Sequence, residues 1–97
     1  MLSRGCFAAN TAGELGGQDP VATKIVRDTF QRMERVLEAS FTEAQERGEL
    51  DRSIDAKASA ALLLAALIGI TVIAKVDEPA PLAKRIAQAF VALLHAA

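Results

Sequence analysis

At 97 residues the chain is long enough for one modest core and too short to surround an apolar helix with its own elements alone. Its hydrophobic half, 52% of the residues, comes largely from alanine and leucine, with four Phe and neither Trp nor Tyr; this favours helices over the β-branched and aromatic composition of sheets. Eleven basic residues against twelve acidic leave a net charge of -1, so no excess of positive charge advertises a nucleic-acid binder. The opening MLSRGCFAAN lacks an apolar run of signal-peptide length, and a single cysteine cannot close an internal disulfide. Together these place the chain in a reducing cytoplasm.

The first predicted helix runs from Arg4 to Leu15 and stops at Gly16-Gly17. Asp19-Pro20 then offers a capping carboxylate and a proline at the first helical position, where its missing N–H costs nothing. The second helix is long. Val26, Phe30, Met33, Leu37, Phe41 and Ala44 follow at steps of three or four, which puts one apolar stripe on one face. The opposite face is charged, with Asp28 and Arg32, and Glu43 and Arg47, at i,i+4 pairing distance. Phe30, Met33 and Phe41 are expected in the core.

Gly48 ends that helix, residues 51–54 connect, and Asp55 caps a third helix that should reach Val76. The segment DEPAP breaks the chain, because two prolines and the residues they press toward extended conformations cannot continue a helix. Pro81 opens a fourth helix in which Leu82, Ile86, Ala89 or Phe90, and Leu93 recur at helical spacing. No internal repeat and no low-complexity linker interrupts this order. The prediction is an all-α single domain over residues 1–97, four helices in an antiparallel arrangement.

The third helix raises the functional question. Between Lys57 and Lys75 it carries no charge, so it must lie in a bilayer, in a large core or against another chain. Its uncharged run is at the lower limit of the roughly 17 to 25 residues a bilayer span needs. It has no interfacial Trp or Tyr, and one lysine on each side gives no topological bias. Small residues on it, Ala66 and Gly69 among them, admit a close neighbour, while Leu62, Ile70 and Ile73 supply apolar area. With Ile86, Phe90 and Leu93 of the fourth helix, these form the expected interface of an isologous homodimer. No membrane contact is expected.

RGCFAANTAGEL, then DP opening a long helix that ends in RGEL, then an apolar helix ending VIAK, then an amphipathic helix, resembles the C-terminal regulatory domain of TetR/AcrR-family transcriptional regulators. The likeness covers residues 4–95, and its most distinctive part is the opening Gly5, Cys6, Asn10, Ala12, Glu14. It implies that the last two helices of each subunit build a four-helix bundle across a dimer axis and that the helices before them line an inducer pocket. A complete regulator of that family begins with a helix-turn-helix domain, which does not precede Met1 here. The resemblance therefore implies a domain fragment or a truncated regulator that reaches DNA only through that missing domain. Neutral charge points the same way.

Cys6 is the one side chain with nucleophilic promise: it stands at a helix start, where unpaired N–H groups favour a thiolate, with Arg4 nearby. The competing reading is a small buried hydrophobe. Some TetR-type repressors sense electrophiles or oxidants through a cysteine in this GC motif, with a lysine of an AK dipeptide near the end of the penultimate helix, and by that resemblance Cys6 and Lys75 are sensing candidates. Glu14 would oppose thiolate formation if close. Asn10 and Glu14 share a face with Cys6 and are either effector contacts or bridges to neighbouring helices. His95 has no partner ligand, so no metal and no cofactor is expected, and no catalytic constellation is present. An effector-sensing dimerisation module is the leading reading. The alternatives are a module that only dimerises and titrates full-length regulators, and a small membrane protein.

Overall fold

The computed structural model describes residues 19–76 and 81–96. Among them the chain forms three helices and no strand: α1, Pro20–Glu46; α2, Ala56–Ile73; and α3, Pro81–Ala96. The predicted helix over residues 4–15 and the break at DEP (residues 77–79) lie outside the described residues.

α1 begins where the sequence says it should. Asp19, in extended backbone, accepts hydrogen bonds at Oδ1 from the N–H groups of Val21 (2.9 Å) and Ala22 (3.3 Å), with Pro20 in the first turn. These are two of the donors a helix start leaves without intrahelical partners. Its other end closes in a Schellman arrangement: the Glu49 N–H donates to the Ala44 carbonyl (2.9 Å) and the Gly48 N–H to that of Gln45 (3.1 Å). Gly48 has φ 74° and nothing within 4 Å of where a side chain would begin. Gly48→Ala therefore meets no steric contact and carries only the left-handed backbone cost. A stability loss of about 1 to 2 kcal/mol is expected, read as a lower Tm with an unchanged helical spectrum.

Residues 47–55 reverse the chain, and one side chain holds that reversal. Gln45 Nε2 donates to the carbonyls of Asp51 (3.1 Å) and Ile54 (2.7 Å), tying the last turn of α1 to the entry of α2. Asp51 in turn accepts the Ser53 N–H at 2.8 Å. The Ser53 hydroxyl, and after it that N–H, hold the Asp51 carboxyl below the usual carboxylate range. Asp55 then caps α2 by accepting from the Ala58 N–H at 3.0 Å.

The core lies between α1 and α2, which pack along each other far more extensively than α2 packs on α3. Val26 and Met33 of α1 and Ala60 and Leu64 of α2 are the buried hydrophobic residues among those described, and Ala60 is wholly enclosed. Phe30, Leu37, Phe41 and Ala44 continue the predicted α1 stripe as half-buried residues. At 1.5 Å per residue α1 spans about 40 Å and α2 about 27 Å. α1 thus outruns its partner, and Val21 and Ile25 in its first two turns stay exposed.

Three expectations shift in detail. α2 ends as an α-helix at Ile73, and residues 74–76 form a turn. Asp28 pairs with Lys24 (2.8 Å), one turn before it, rather than with Arg32; the Lys24 ammonium lowers the Asp28 pKa and Arg32 adds a weaker attraction. Glu43 pairs with Arg47 as expected, at 2.8 Å. The covered face of α3 is Ala83, Ile86, Phe90 and Leu94, while Leu93 is exposed. The sequence offers apolar residues at both 93 and 94, so periodicity alone does not choose between the two phases.

Candidate functional site

α2 is apolar around its whole circumference, and packing gives it two sides. Ala60 and Leu64 turn toward α1, with Leu67 and Thr71 half-covered behind them. Thr71 places its hydroxyl on the Leu67 carbonyl one turn back, at 2.8 Å, so this polar group is satisfied within its own helix.

The other side is a continuous apolar seam. Ala58, Leu62, Ala65, Gly69 and Val72 follow at alternating steps of four and three, and Val76 in the following turn extends them. Leu62, near the middle of the chain's most apolar element, is 54% exposed, and Val72, in its last turn, is 50% exposed. A methyl group added at Gly69 would meet nothing within 4 Å, so that glycine is a dent in the seam open to the outside. Steps of three and four are the pattern by which a helix presents a narrow stripe to a second helix crossing at about +20°. Ala66, Ile70 and Ile73 flank the seam, each half-covered.

α3 adds to this surface. Val91 is 51% exposed and Leu93 65%, and Ala87, Gln88, Val91 and Ala92 line a shallow, open and almost wholly apolar depression. Ile86 and Phe90 are half-buried on the inner face, where the rings of Phe90 and Phe41 meet at a centroid distance of 6.4 Å and a 52° tilt. Of the expected interface residues, then, Leu62 and Leu93 are open to a partner chain, Gly69 offers space, and Ile86 and Phe90 face inward.

A residue match decides the family: a profile described as Tetracyclin repressor-like, C-terminal domain, matches residues 1–90. The chain belongs to this family. No curated protein and no solved structure matches it.

For a repressor-like regulatory domain the effector site is the second question. Cys6, Asn10 and Glu14 lie outside the described residues. Lys75 is exposed in the turn after α2, its N–H donating to the Val72 carbonyl at 3.3 Å. A second shallow depression runs along the outer face of α1, lined by Arg35, Glu38, Ala39, Thr42, Glu43 and Glu46. It is open and belongs to a single helix, so it holds no enclosed volume for a small molecule. Among the described residues there is no buried side-chain nitrogen or oxygen without a hydrogen bond and no group of metal-ligating side chains. His95 is exposed in the last turn of α3.

Sequence reasoning missed the seam as a seam, because an all-round apolar helix carries no phase of its own. It also missed the Phe41–Phe90 contact. The signal for that was present in part, since Phe90 is the single Phe of α3.

Proposed function

We propose that this chain is the effector-sensing and dimerising part of a TetR-type transcriptional regulator, a single domain acting in the cytoplasm as a homodimer through α2 and α3. The observation that carries the reading is the α2 seam: an apolar stripe left open among the described residues, in a polypeptide of which residues 1–90 match a repressor-like C-terminal domain. In this reading two copies of α2 and α3 form the bundle between protomers. Stable interfaces of this obligate kind commonly bury roughly 2,000 Å² or more. Sedimentation velocity at micromolar concentration tests it directly, with a 10.2 kDa species overturning the proposal.

α2 is also long and apolar enough to cross a membrane by length and composition. Its packing argues for a protein partner instead. α1 lies along it and carries Arg32, Glu34, Arg35 and Glu38 in its middle turns, so a bilayer around α2 would draw those charges into hydrocarbon at large cost.

Sensing through Cys6 belongs to the same proposal, supported by the GC motif and by Lys75 in the AK dipeptide that closes α2. A neighbouring ammonium lowers a thiol pKa. The rate of Cys6 alkylation against pH is expected to give an apparent pKa below the unperturbed value of about 8.5, and Lys75→Met is expected to raise it. A value at or above 8.5 in both proteins leaves Cys6 as a packing residue.

A further inference from the structure

Among the described residues α3 is held lightly: its backbone contacts α2 alone, more sparsely than α1 does, and no residue described on it is buried to the degree of Val26, Met33, Ala60 or Leu64. The backbones of α1 and α3 make no contact among the described residues. The tilted Phe41–Phe90 ring pair, with centroids 6.4 Å apart, does reach between them. Phe90 is the largest apolar side chain on α3 and lies half-buried on its inner face with Ala83, Ile86 and Leu94. Tilted ring pairs at this separation attract beyond the area they bury, and they do so directionally.

We infer that Phe41 is a positioning residue for α3, so that the Phe41–Phe90 contact couples the α1 side of the domain to the outer surface of α3. That surface carries Val91 and Leu93, both exposed and flanking the face that holds the ring. A rotation or shift of α1 that moves Phe41 removes the seat of Phe90, and α3 then changes its angle on α2. The consequence for self-association rests on the dimer reading above; the coupling itself does not. It gives a change on the α1 side a route to the interface that bypasses the body of α2.

The test compares two truncations on α1. Phe41→Ala removes the ring, while Val26→Ala thins the same α1–α2 core about four turns away from it. Amide hydrogen exchange is expected to rise about tenfold or more across residues 81–95 in Phe41→Ala while residues 58–66 stay near wild type. Val26→Ala is expected to leave residues 81–95 unchanged relative to α2. Equal loosening of α3 by both variants, or no change in α3 with Phe41→Ala, overturns the inference. Should Phe41→Ala fail to fold, Phe41→Leu gives the same selective pattern at smaller amplitude, and its absence overturns the inference equally. If the protein is a dimer, Phe41→Ala also raises its dissociation constant by about tenfold, although Phe41 lies outside the proposed interface. A monomeric wild type with selective exchange in α3 removes the dimer reading and keeps the coupling.

Discussion

Replacing both Leu62 and Val72 by glutamate is expected to leave the protomer folded and to abolish the self-association proposed above. Both side chains are about half exposed in the isolated chain and glutamate forms helix about as well as the residues it replaces, so the protomer loses little beyond the roughly 0.3 to 1 kcal/mol that a carboxylate costs in the last turn of α2. In a two-fold pairing each substitution appears on both copies, which places four carboxylates in an apolar contact. Desolvating an unpaired carboxylate costs several kcal/mol, and about 4 kcal/mol suffices to raise a dissociation constant a thousandfold. Sedimentation velocity is expected to show a monomer with a wild-type helical spectrum. A wild-type mass distribution would remove the α2 seam from the interface. Gly69→Leu supplies a steric version of the same experiment, because the first carbon of the added side chain meets nothing within 4 Å in its own chain and the bulk beyond it fills the dent a partner would occupy.

Met33→Ala is expected to have the opposite character, damaging the protomer itself. Met33 is 5% exposed on a helix pair with few enclosed side chains, and truncation of a buried Met to Ala costs about 2 to 5 kcal/mol, including the cavity left behind. Against a usual total of about 5 to 15 kcal/mol, that is a large share. Val36→Ala, three residues along on the exposed side, is expected to stay within about 0.5 kcal/mol of wild type. Denaturant unfolding followed by circular dichroism separates the two. Similar midpoints for both variants would mean that the α1 stripe does not hold the fold.

The difference between these two substitutions was legible in the sequence for α1 and not for α2. On α1 the spacing Val26, Phe30, Met33, Leu37 selects one face, and the charged residues between them exclude the other. The helix ends were equally readable, since Asp19-Pro20, Gly48 and Asp55 each supply a backbone conformation or a hydrogen bond that the termini require. α2 gives no such contrast. Every phase of it is apolar, so the division into an inner side at Ala60 and Leu64 and an outer seam at Leu62 and Val72 depends on where α1 lies. α3 was ambiguous for a related reason: adjacent apolar residues at 89–90 and 93–94 fit two faces one residue apart. Asp28 had a cation one turn away on either side, and only the folded helix favours Lys24 over Arg32. Of the sensing candidates, Cys6, Asn10 and Glu14 lie outside the described residues, and Lys75 alone has a described position.

The seam of Ala58, Leu62, Ala65, Gly69, Val72 and Val76 contains no side-chain donor, acceptor or charge, and the nearby Thr71 hydroxyl is already turned onto its own helix. Anything that seats there is therefore selected by outline alone. Helix pairs that carry a polar residue in the seam, or opposite charges along its edges, reject wrong registers and wrong relatives by leaving those groups unmatched. This seam has no such penalty to impose. Its fidelity depends on the dent at Gly69 and the bulk on either side, where one misplaced methylene is worth only about 0.8 kcal/mol, roughly a fourfold preference. In the proposed dimer this seam would do little to reject a related chain with a similar profile, and that selection would fall to α3, whose apolar depression includes Gln88.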